Sequence, residues 1–173
     1  MKINIFNKFL QTTLAFGLIL WIGGNIVRYA IAYDLFVPGT ELILKNWYPP
    51  EIQLNIVSIF RIASFYTIIG YIMTVISAII FIFIYKSHFK NNSWMLISSI
   101  LIIITIPIEI VLMYFDIKII LGFNNLEINS FDCEIIKTYF LDRLKYWIIP
   151  GSLSFLSGIS AVFIGIWKPL VKN

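Results

Sequence analysis

Four stretches of the chain carry no charged residue: 9–27, 62–85, 91–108 and 146–167. An α-helix rises 1.5 Å per residue, so about 20 residues cross a hydrocarbon core of roughly 30 Å. With a few flanking residues each stretch reaches that length, and the expected spans are about 9–33, 57–85, 94–115 and 146–167. Membrane strands would be half as long and would alternate in polarity, which these runs do not. The pattern predicts an all-α polytopic integral membrane protein, a four-transmembrane-helix bundle forming one domain over residues 1–173.

The first span needs a separate decision, because Lys2 and Lys8 followed by an apolar run resemble a secretory signal with a small-x-small site at Ala30-Ile31-Ala32. A signal's apolar core is usually about 7–15 residues, and this one is longer, with Arg28 before the site. A retained helix is expected.

Composition agrees with the pattern. The chain is 60% hydrophobic and 13% charged, against about 45–50% and 25% in soluble domains. Those values exclude a disordered chain, a disulfide scaffold and an ordinary soluble enzyme.

Charge adds an orientation. Lys2 and Lys8, then Lys86 and Lys90 between spans two and three, then Lys168 and Lys172, all lie in segments without an acid. The other two connections mix acids and bases. By the positive-inside rule both termini are cytoplasmic, which fits an even number of spans in a cell (inner or plasma) membrane. Anionic headgroups then account for the net charge of +4, and no nucleic-acid partner is expected.

The longer connections contain structure of their own. Trp47-Tyr48 puts an aromatic pair at headgroup level, and Pro49-Pro50 interrupts any helix. Residues 51–60 repeat apolar side chains at helical spacing, as an extension of span two or a short interfacial segment. Asn124-Asn125 reads as a turn, residues 131–139 as another short helix, and Pro150 as the start of span four.

Within a bilayer, small and polar residues mark helix–helix faces. Gly151, Gly158 and Gly165, with Ser154 and Ala161 between them, form such a packing stripe on span four. Span one offers Gly17, Trp21, Gly24, Asn25, Arg28 and Ala32, and span two Arg61, Ser64, Thr67, Tyr71, Thr74 and Ala78. Span three offers Ser98, Thr105, Glu109, Met113 and Asp116.

The charged members of these stripes need a partner. Counting from the inner interface puts Asn25, Tyr71, Glu109 and Ser152 at about 21–24 Å, with Arg28 one turn above. Glu109 is the clearly embedded acid, and Arg28 is its expected partner, with Arg61 as alternative. Pro107 frees a backbone carbonyl one turn away. These residues predict a polar pocket open to the outside, built from Asn25, Arg28, Tyr71, Glu109 and Ser152.

No catalytic residues and no metal site are expected. The one histidine, His88, lies in a loop, which removes bis-histidine haem and histidine-based zinc or iron. Cys133 has no second cysteine to pair with in the chain. No cofactor is predicted, although an apolar bundle can hold a lipid or quinone.

The run Leu18-Ile19-Leu20-Trp21-Ile22-Gly23-Gly24 with Pro38 beyond it, and Ile59-Phe60-Arg61 at the entrance to span two, resemble small bacterial four-helix membrane proteins. These are the copper-resistance D-like group and related uncharacterised families. The resemblance covers the first half of the chain; it implies a four-helix architecture and lends no site residues.

Three functions follow, in this order. The first is a non-catalytic accessory or scaffold subunit in a homo-oligomer or larger membrane complex. The second is an oligomeric small-solute or ion transporter using Glu109 and Arg28. The third is a quinone- or lipid-binding oxidoreductase subunit, with Tyr71, Trp21 and Arg28 lining the pocket.

Overall fold

The computed structural model describes residues 5–125 and 134–169 and is all-helical among them. Four helices follow one another: α1 (Ile5–Asp34), α2 (Pro50–Tyr85), α3 (Ser93–Asn125) and α4 (Glu134–Trp167). All four are long and apolar enough to cross a membrane. α1 packs along α2 and α3 along α4; α2 and α3 join the two pairs, while α1 and α4 touch only narrowly. A short turn with one 3-10 segment, Lys86–His88, links α2 to α3 at one end of the bundle. The longer α1–α2 connection, residues 35–49, lies at the other end.

The helices extend beyond the expected spans. α2, at 36 residues, is about 54 Å long, well over a hydrocarbon core of roughly 30 Å. Residues 51–60 are therefore the first turns of α2, which starts where Pro49 is extended and Pro50 takes the first helical position. α3 continues through Asn124-Asn125 instead of turning there. α4 begins twelve residues before the expected 146, so Pro150 lies inside it. Residues 134–139 are thus the opening of α4 rather than a separate helix. Residues 131–133, Cys133 among them, lie outside the described residues.

The excess length forms an apolar head at the long-connection end. Ala32, Leu35, Phe36, Val57, Phe60, Ile119, Ile136, Phe140 and Leu144 are buried there in one cluster. The α1–α2 connection folds back over it, with Val37 N donating to Ile43 O at 2.8 Å and Lys45 N to Leu35 O at 3.1 Å. Gly39 (φ 77°) and Leu42 (φ 56°) supply the left-handed residues of this lap. At its edge Lys45 donates to Asp34 Oδ1 at 3.0 Å and to Tyr48 at 3.2 Å. The Asp34 bond, with Tyr48 second, pushes the ammonium above its ordinary range.

Close approach of α1 and α2 rests on glycines. A Cβ on Gly17 would lie 2.9 Å from Gly70 O, and one on Gly70 2.7 Å from Trp21 N. Backbones that near exclude side chains at both positions. On α4, a Cβ on Gly151 would lie 2.8 Å from the Tyr29 hydroxyl, and one on Gly158 2.6 Å from the Trp21 ring. Gly165 departs from the predicted stripe: nothing lies within 4 Å of its Cβ position. The small-residue face is buried as far as Ala161.

Candidate functional site: a closed polar core

The sequence stripes converge in the middle of the bundle as two polar layers. Counted from the short-turn end, Arg28, Asp116, Arg143 and Ser64 lie at about 32–36 Å, and Trp21, Tyr71, Glu109 and Ser154 at about 20–24 Å.

Asp116 is the centre of the first layer. Arg28 Nη1 donates to its Oδ2 at 2.5 Å, and Arg143 Nε lies 2.6 Å from its Oδ1. That N–H points off the line of a hydrogen bond, and Arg143 Nη2 donates to Oδ2 at 3.4 Å instead. Ser64 Oγ donates to Oδ1 at 3.4 Å. Arg28 Nη2 donates to Asn25 Oδ1 at 2.5 Å, and Asn25 Nδ2 in turn donates to Trp21 O at 2.9 Å. One carboxylate thus binds side chains from the other three helices. Above it the Phe60 ring carries both guanidinium groups, at 5.9 Å for Arg28 and 5.2 Å for Arg143.

Glu109 belongs to the second layer. Ser154 Oγ donates to its Oε1 at 2.7 Å, and the Trp21 indole lies beside the same carboxyl group. Trp21 Nε1 is buried and closes no hydrogen bond. Tyr71 exchanges a hydrogen bond with Thr105 at 3.0 Å, and its ring packs on Trp21 with centroids 5.0 Å apart. This layer also draws on all four helices.

The expected pocket is altered in three respects. Arg28 pairs with Asp116 and not with Glu109, because Asp116 shares its level while Glu109 lies two turns nearer the short turn. Arg61, the alternative partner, stacks on Phe123 at 4.8 Å. The group is closed: Asn25, Arg28, Tyr71, Glu109, Asp116 and Arg143 are each 4% exposed or less, beneath the apolar head. Ser152 stands apart from Glu109, beside the Tyr29 hydroxyl, and is half-buried.

Two residues central to the core lay outside the predicted set. Asp116 is on the span-three stripe but lies one residue beyond the expected end of that span at 115. Arg143 sat in an apparent loop, Asp142-Arg143-Leu144-Lys145, whose charges hide the continuation of α4. Helical spacing could have found it: Ile136, Phe140, Arg143, Leu144, Gly151, Ser154 and Gly158 share one buried face.

Among the described residues no three His, Cys, Asp or Glu side chains stand together as a metal site. Compared with known proteins, the chain matches no family model, no curated protein and no solved structure.

Proposed function

We propose that this chain is a non-catalytic integral membrane protein, an accessory or scaffold subunit whose polar core fixes the arrangement of its four helices. The observation that carries the reading is the closure of Asp116 by groups from the other three helices. A transport site must exchange with solvent, and a catalytic site must admit substrate. These charges do neither. Two arginines, one aspartate and one glutamate also balance formally, which suits an interior where an unmatched charge is costly.

In this reading the protein is a multi-pass protein of the cell membrane with both termini cytoplasmic and the short basic turn on the same side. The Glu109 layer then lies in the outer half of the hydrocarbon and the Asp116 layer at the outer headgroup level. The apolar head stands outside the bilayer, where it covers the ion cluster. The likeness to the copper-resistance D-like group contributes architecture alone.

The test is purification of the full chain in mild detergent with mass-spectrometric identification of companions. A stoichiometric membrane-protein partner supports a scaffold. Solute or ion flux in proteoliposomes, abolished in Glu109→Gln with melting temperature unchanged, would replace it with the transporter reading.

A second reading, lipid or quinone binding, is favoured by one observation away from the polar core. A cavity of about 230 Å³ opens between the helices near the short turn.

A further inference from the structure

That cavity is lined by Leu14, Leu18, Phe81, Ile102, Val162 and Gly165, with Trp94 and Ser98 toward the short-turn end. Its lining runs over roughly 18 Å of helix length, from Trp94 up to the level of Leu18. This volume and length describe a slot for a single hydrocarbon chain, not for a helix about 10 Å across. All four helices line it, and a groove on the outer face of α1 shares Leu18 and Val162 with it.

The slot offers little polarity along its walls. Ser98 Oγ donates to Ala161 O at 3.2 Å, and Ser99 Oγ to Met95 O at 2.7 Å, so both hydroxyls are occupied. Trp94 Nε1 is different: it is buried and has no hydrogen-bond partner. Lys168 places its Nζ 5.8 Å from the centre of the same indole, held there by a left-handed backbone at φ 47° and a Lys168 N to Ile164 O bond of 2.9 Å. An apolar slot therefore ends at an unused N–H donor and a cation.

The charge of this end completes the pattern. Among the described residues Lys8, Lys86, Lys90 and Lys168 belong to it, while Asp34, Glu41, Glu51, Glu109, Asp116 and Asp142 lie away from it. An anionic headgroup meets no opposing carboxylate there among the described residues.

We infer that the slot enclosed by the four helices near the short turn holds one acyl chain of an anionic glycerophospholipid, its phosphate held by Lys168 Nζ and Trp94 Nε1. The chain fills the gap that Gly165 leaves on α4, and the charged headgroup selects the lipid. The inference rests on the reading that the helices sit in a membrane with the short turn at a headgroup layer.

The experiment uses the full chain in detergent, titrated with dioleoyl phosphatidylglycerol or dioleoyl phosphatidylcholine and followed by native mass spectrometry. Wild type should retain one phosphatidylglycerol, with a preference of about fivefold over phosphatidylcholine. Lys168→Ala should bring the two lipids to equal retention. Gly165→Leu, whose side chain enters the slot without meeting another atom at Cβ, should lose retention of both at an unchanged lipid-free melting temperature. Equal retention of both lipids by wild type, or retention by folded Gly165→Leu equal to wild type, overturns the proposal. Should Gly165→Leu not fold, Lys168→Ala decides alone, and a preserved preference overturns it. Flotation with vesicles separates the premises: a chain that fails to co-float overturns the membrane reading, and one that co-floats without lipid preference overturns only the slot.

Discussion

Arg143 lies 2.6 Å from Asp116 in the interior of the bundle, joining α4 to α3 across 27 residues of chain. Arg28 reaches the same carboxylate from α1. Burying ions costs several kcal/mol each, and the mutual attraction offsets this only when every member is held. Such a core favours one helix arrangement over others, since a rotation or slip of any helix would leave a buried charge alone.

The second layer is expected to be less costly to disturb. Ser154→Ala removes the 2.7 Å bond to Glu109 and should lower unfolding stability by about 1.5–3 kcal/mol, as for hydrogen bonds to charged groups. Glu109→Gln keeps an acceptor for Ser154 and should cost less. Thermal unfolding in detergent, with both variants compared at equal detergent concentration, reads this order directly.

The α4 glycines should divide sharply. Gly158→Ala drives a methyl into the Trp21 ring and should destabilise by about 1–3 kcal/mol, as overpacking does. Gly165→Ala meets nothing and should change stability by less than about 0.5 kcal/mol. Both belong to one seven-residue stripe, so unfolding measurements on the pair separate packing from mere periodicity.

Orientation has its own measurement. In a Cys133→Ser background, a membrane-impermeant maleimide added to intact cells should label Trp47→Cys, which is 66% exposed on the long-connection side. Ser87→Cys in the short turn should label only after permeabilisation. The reverse pattern would invert the proposed topology.

Much of this fold is legible in the sequence, for physical reasons. Charge-free runs of helical length identify all four helices. Of the stripe Gly17, Trp21, Gly24, Asn25, Arg28 and Ala32, all but the half-buried Gly24 are buried on α1, and Leu10 extends that face. What the sequence obscures is where helices stop. Pro150 and the charges around Arg143 look like a helix start preceded by a loop, yet α4 runs through both. A proline removes one backbone bond, and tertiary packing on α3 makes up for it. The wrong helix start moved Arg143 out of the core, and ending span three at 115 left Glu109 as the clearly embedded acid for Arg28 to meet. An open pocket followed from the same omission, because the apolar head is built from those extra turns. Partner choice between Glu109 and Asp116 depends on relative helix heights, which counting from assumed interfaces fixes only to about one turn.

The hub role of Asp116 is tested most directly by the unfolding free energies of Asp116→Leu and of the triple variant Arg28→Met/Asp116→Leu/Arg143→Met. Removing the carboxylate alone strands two buried guanidinium groups and should cost about 3–5 kcal/mol. Replacing all three ions by apolar side chains should recover most of that loss. An Asp116→Leu protein as stable as wild type would contradict the account.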